Sequence, residues 1–194
     1  MTYAIDEKNG LSVSASGNLT RLIALAGGMF AIGTDSFVIA PLLPRIAADL
    51  GVGVGLAAQL VTVYALTYAI SSPLVATLTS RWAPERALTV GLAIFIVSNI
   101  AAAFAPDFLT LLLARCFAGL GAAVFAPMAS ATAAGLVPSN RRGFALSVLM
   151  MGLSAATALG APIGTLIGTF ASWRTVFLLV ALLAVIAPWG IGRT

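Results

Sequence analysis

Six long apolar runs, parted by short polar breaks, set the pattern of this chain. They cover residues 22–44 and then about 57–79, 87–105, 108–137, 144–170 and 175–189. About 20 residues at ~1.5 Å rise each cross the ~30 Å hydrocarbon layer of a bilayer. Irregular backbone exposed to lipid leaves N–H and C=O groups unsatisfied, so runs of this length predict helices. Pro106-Asp107 separates the third run from the fourth, and Ser172-Trp173-Arg174 the fifth from the sixth. Links this short force antiparallel neighbours. The expected architecture is an all-α integral membrane protein, a six-transmembrane-helix bundle over residues 21–194. Residues 1–20 are polar and rich in Ser and Gly. They are too long and too weakly charged for the front of a signal peptide, and are expected to form a flexible N-terminal tail.

Composition narrows the class further. The 194 residues are 60% hydrophobic and 8% charged, with a mean hydropathy of +1.07. A water-soluble domain of this size cannot hide so much apolar surface. The net charge is +4, but the basic residues are thinly spread at the ends of the runs. That pattern orients spans in a membrane and does not suit nucleic acid. With the N-terminus in the cytoplasm, that side receives Lys8, Arg21, Arg81, Arg86, Arg141, Arg142 and Arg193, and the other side only Arg45 and Arg174. The bias predicts a multi-pass plasma-membrane protein with both termini cytoplasmic, in the inner membrane if the source is bacterial.

What is missing excludes several chemistries. There is no histidine, and Cys116 is the only cysteine. Histidine metal sites, Ser-His catalysis and an intrachain disulfide are ruled out. No two acids are spaced within a span to hold a catalytic metal. None of Asn9, Asn18, Asn99 and Asn140 is followed by Pro-Ala, as aquaporin-like channels require. The expectation is therefore no enzyme, no metal and no cofactor.

Candidate chemistry concentrates on two residues. Asp35 is the only acid within the spans and Arg115 the only base. A carboxylate at membrane depth costs at least ~2.5 kcal/mol on insertion scales, so it marks a functional site by default. Counting residues along the two spans puts each charge ~10 Å below the outer boundary. At equal depth they can pair or exchange partners if their spans share a cavity. Alternatively Arg115 snorkels outward and Asp35 hydrogen-bonds within its bundle.

Other features concern packing and motion. Gly152, Ala156, Gly160, Gly164 and Gly168 recur every fourth residue and form a small stripe on one face of span five. Such a stripe lets helix backbones approach closely. Pro162, in Gly160-Ala161-Pro162-Ile163-Gly164, predicts a bend or a weak point. Span four has a similar small patch at Gly119, Gly121, Ala122, Ala123 and Ala126 before Pro127, and Pro73 interrupts span two. Three proline-interrupted helices suggest elements that flex or line a cavity. The expected cavity face includes Gln59, Tyr64 and Tyr68 beside the two charges. Between spans two and three, Arg81 and Arg86 flank a tight turn with Glu85.

Taken together these stretches resemble the N-terminal half of a major facilitator superfamily transporter, closest to the drug:proton antiporter branch with its sugar, arabinose and chloramphenicol exporters. The stretch from Gly33-Thr34-Asp35 through Pro41-Leu42-Leu43-Pro44 to Asp49-Leu50-Gly51 is similar to that branch's first-span motif. Arg115-Cys116-Phe117-Ala118-Gly119-Leu120-Gly121 resembles its span-four motif, whose arginine is associated with proton transfer. The Gly160, Pro162 and Gly164 segment looks like a variant of its antiporter motif. The resemblance implies half of a major facilitator fold, built of 3+3 inverted repeats. It implies proton/charge coupling by Asp35 and Arg115 and a cytoplasmic gate loop at Arg81 and Arg86. It also implies proton-coupled efflux of small molecules such as drugs or sugars, with drug resistance as the consequence. The gate-loop motif of the family has an acid where Ser80 stands, which implies a weakened inner gate.

The chain is half the family's usual twelve spans. The implied partners are the lipid bilayer, a small-molecule substrate, protons, and a second six-span half or an identical copy. The alternative expectation is a truncated, non-transporting fragment or a membrane subunit that needs a second half.

Overall fold

A computed structural model describes residues 7–79 and 81–186 of the chain. Eight α-helices are found there: α1 (Glu7–Val38), α2 (Leu43–Asp49), α3 (Val54–Ala57), α4 (Gln59–Leu78), α5 (Pro84–Ala103), α6 (Phe108–Gly135), α7 (Arg142–Phe170) and α8 (Trp173–Ile186). Five of the apolar helical stretches are long enough to cross a membrane, and α8 is a shorter apolar helix. The six expected spans are thus α1, α4, α5, α6, α7 and α8. Residues 1–6, Ser80, Trp189 and Arg193 lie outside the described residues.

Two boundaries differ from the sequence reading. α1 begins at Glu7, inside the stretch expected to form a flexible tail. No proline falls between Glu7 and the apolar run, and an established helix gains one hydrogen bond per residue added. At its other end α1 stops at Val38, short of the expected residue 44. Pro41 has no N–H to continue the ladder and starts a new helical turn instead, and Pro44 does the same for α2. α2 then ends in a turn at Gly51, whose φ of 65° suits glycine.

Pro73, Pro127 and Pro162 do not break their helices. Each lies inside a helix that continues through it. Pro73 and Pro162 are on exposed faces, so their rings leave the packing surfaces untouched.

The larger helix contacts obey an internal exchange. α1 packs mainly on α7, and α6 on α5 and α4; α1 also meets α8, and α5 meets α8. Swapping the first three spans with the last three carries these pairs onto one another, while the smaller α6–α7 and α7–α8 contacts have no counterpart of similar extent. Since odd and even spans run in opposite directions, the symmetry is that of an inverted 3+3 repeat.

Small residues set the helix spacing. A Cβ added at Gly152 would lie 2.3 Å from the Ala26 carbonyl oxygen, and one at Gly164 would lie 2.8 Å from that of Val38. Across the same seam a Cβ at Gly33 would meet Ala156 at 2.7 Å. The stripe on α7 is therefore the surface on which α1 rests, for Gly152 through Gly164; the contacts of Gly168 lie outside the described residues. On α6, a Cβ at Gly119 would come within 2.6 Å of the Tyr64 carbonyl oxygen, and one at Gly121 within 2.6 Å of the Phe95 nitrogen. The core runs through α1, α5, α6 and α8, while α4 and α7 keep the least-buried faces.

Candidate functional site

Asp35 lies one turn before the end of α1. Its neighbours Thr34 and Ser36 return their hydroxyls to the carbonyls of Phe30 and Ile32, at 2.8 and 3.0 Å. Those bonds satisfy both hydroxyls inside an apolar helix. Arg115 lies two turns into α6, whose start is fixed by Asp107. The Asp107 Oδ1 accepts from the Thr110 N–H at 2.8 Å and caps the helix. That hydrogen bond, the largest influence, holds the exposed Asp107 carboxyl below the usual carboxylate range.

The two helices bring the charges together. Arg115 Nη1 donates to Asp35 Oδ2 at 2.6 Å, and the side chains are 1% and 0% exposed. The guanidinium also lies over the Tyr64 ring at 4.3 Å and within 5.9 Å of the Phe177 ring centroid. With the Ser36 hydroxyl hydrogen on the Ile32 carbonyl, Tyr64 Oη donates to Ser36 Oγ at 3.3 Å. Spans one, two, four and six thus converge on one arginine.

The pair is joined through one hydrogen bond only. Asp35 Oδ1, Arg115 Nε and Arg115 Nη2 are buried and have no hydrogen-bond partner among the described residues. Orphaned polar atoms at this depth are costly. The arrangement therefore has a specific chemical capability. A proton on Asp35 would remove the ion pair and leave the arginine uncompensated between α1 and α6, whereas the charged carboxylate holds them together. In a low-dielectric site that difference is large.

The remaining sequence candidates fall elsewhere. Tyr64, expected on a cavity face beside the two charges, is 7% exposed and lies against Arg115; Gly119 lets the Tyr64 backbone approach α6. Tyr68 is half-buried and Gln59 exposed, on the same helix. Arg81 is exposed in the turn before α5 and Arg86 in the first turn of α5, with Arg86 over the Trp82 ring at 5.1 Å. Gly160 and Gly164 are buried against α1, while Pro162 faces outward. Phe177 and Ser36 escaped the sequence reading. Ser36 had a signal, its position beside Asp35; Phe177 had none, since its role depends on how α8 packs.

Fold and site together define a multi-pass membrane protein with a charge pair in its core. A Major Facilitator Superfamily profile matches residues 25–192, and the chain belongs to that family. It is 39% identical over 171 residues to a chloramphenicol resistance protein of Streptomyces lividans, an alignment covering 88% of this chain and 43% of that one. It is 38% identical over 166 residues to the inner membrane transport protein YdhP of Escherichia coli K12, covering 86% and 43% respectively. A crystal structure of a bacterial homolog of the human lysosomal transporter Spinster, inward-facing and unoccupied, superposes with a TM-score of 0.77. It shares 20% identity over 90% of this chain and 43% of that one, and so shows the common fold. The chain spans less than half the length of these relatives. It corresponds to the N-terminal half of a major facilitator transporter.

Proposed function

We propose that the chain supplies one six-span wall of a proton-coupled efflux transporter for amphipathic small molecules. The fully buried Asp35–Arg115 pair with three unpartnered polar atoms is the observation that carries this reading. Asp35 binds the proton, and Arg115 stabilises its charged state. Gain of the proton frees α1 from α6, loss restores the tie, and each state favours a different cavity-facing conformation. The α1–α7 seam at Gly160 and Gly164 is where the bundle flexes beside Pro162. Arg81 and Arg86 act in the gate loop, and Gln59 and Tyr68 on the cavity face. The excess of arginine at that loop and before α7 argues for a cytoplasmic orientation of both termini in the bacterial inner membrane. A second six-span bundle, from another half or an identical copy, closes the cavity against the least-buried faces of α4 and α7. The likeness to a chloramphenicol resistance protein makes chloramphenicol the first substrate to try.

The test is chloramphenicol flux in proteoliposomes under an imposed pH gradient, for the wild type and Asp35→Asn. Gradient-driven flux that disappears in the variant, with insertion intact, supports the reading. Undiminished coupled flux in Asp35→Asn overturns it. A second reading is that the chain is a subunit or fragment without transport of its own, favoured by its coverage of 43% of its relatives. Flux that appears only after co-reconstitution with a second six-span half supports that version.

A further inference from the structure

A second polar cluster lies at the Arg174 end of the bundle. Asp49, the last residue of α2, accepts from Trp173 Nε1 at 3.0 Å and pairs with Arg174 Nη1. Arg174 Nη2 donates to the Ala105 carbonyl at 3.2 Å, just beyond α5. The Arg174 guanidinium also lies over the Trp173 ring at 4.2 Å. Two residues of α8 therefore tie the continuation of α1 and the end of α5 together at one point.

The cluster does not stop at the surface. Trp173 is buried and meets the Phe177 ring edge to face, with centroids 6.0 Å apart at 89°. Phe177, one turn further along α8, faces the Arg115 guanidinium at 5.9 Å. Neighbouring groups thus lead from Asp49 through Trp173 and Phe177 to Arg115 and Asp35.

We propose that Asp49, Trp173 and Arg174 form a latch that fixes the first turn of α8, so that Phe177 holds Arg115 against Asp35. Releasing the latch loosens the buried pair. Phe177 is then a positioning residue. α8 follows α7 after only Ala171 and Ser172, so its start is set by what grips it from the neighbouring elements. Packed aromatic rings do not deform smoothly, and a shift of Trp173 has to displace Phe177. This inference goes beyond the transport reading and holds whether or not Asp35 carries protons.

Contiguity alone does not establish coupling, so the test measures non-additivity. Hydrogen exchange of the purified chain in lipid nanodiscs is read by mass spectrometry in two windows, residues 173–177 and 111–119. The variants are Asp49→Ala, Phe177→Leu and the double substitution, with Arg45→Ala as a control on α2 outside the latch. Asp49→Ala is expected to raise exchange several-fold in both windows, and Arg45→Ala in neither. In the Phe177→Leu background, Asp49→Ala is expected to act on 173–177 only. An unchanged 111–119 window in Asp49→Ala overturns the proposal, as does a double variant whose effect there is the sum of the singles. If Phe177→Leu does not fold, Phe177→Met takes its place, and the same two outcomes decide.

Discussion

Two aspartate–arginine pairs of the same chemistry sit in this bundle in opposite surroundings. Asp35 and Arg115 are fully buried, while the side chains of Asp49 and Arg174 keep 48% and 35% of their exposure. Both arginines rest on an aromatic face, Tyr64 in one case and Trp173 in the other. The exposed pair shares its hydrogen bonds with Trp173 and the Ala105 carbonyl, and water reaches the rest. The buried pair leaves three polar atoms unserved. The contrast teaches that environment, not partner identity, decides what an ion pair can do. In water a lost charge is replaced by solvent and the pair is worth little. In the core the same loss has no substitute.

The largest test of that contrast removes one buried partner. Arg115→Ala is expected to destabilise the protein by about 3–5 kcal/mol, because Asp35 is left as an uncompensated charge. Thermal unfolding in nanodiscs checks it. The double variant Asp35→Leu with Arg115→Met is expected to recover most of that loss, since a well-packed apolar pair often equals a buried ionic one. A double variant as unstable as Arg115→Ala would show that the penalty is lost packing and not stranded charge.

The next tests act on the surroundings of the buried pair. Gly152→Ala puts a methyl group 2.3 Å from the Ala26 carbonyl oxygen, pushing α7 off α1. A loss of about 1–3 kcal/mol is expected, as for other overpacked seams. Gly143→Ala, with nothing within 4 Å of the new methyl group, serves as the control in the same unfolding measurement. Tyr64→Leu removes the ring beneath Arg115 and is expected to cost up to about 2 kcal/mol more than Tyr64→Phe, which keeps a ring face. Equal losses from the two would remove the cation–π contact from the account of the site.

Asp49→Asn is expected to have the smallest effect on global stability. Its effect is also expected to shrink between low salt and about 1 M salt, where screening acts within ~3 Å. Stability of the buried pair, compared through Arg115→Ala in the same two buffers, is expected to stay nearly constant. An Asp49→Asn effect independent of salt would mean that the charge of Asp49 is not what the outer cluster uses, since asparagine still accepts from Trp173 Nε1.

Much of this molecule was legible in the sequence. Hydrophobic run length determined the six spans and the all-α class, since lipid permits few other backbones. The four-residue stripe from Gly152 to Gly164 announced a close helix seam, and the isolation of Asp35 and Arg115 among apolar residues marked them as the candidate site. Tertiary structure alone decided the rest. Helical periodicity states which face a residue occupies but not which helix meets it. That Arg115 reaches Asp35 through a single hydrogen bond, that Tyr64 lies beneath it, and that Phe177 stands between it and Trp173 all depend on how α1, α4, α6 and α8 cross. Pro73 and Pro162 carry the chemistry of a helix break, yet the helix continues through each and both sit on outward faces. Packing, which joins residues as distant in sequence as Asp49 and Trp173, 124 positions apart, turned a list of rare charges into a candidate site.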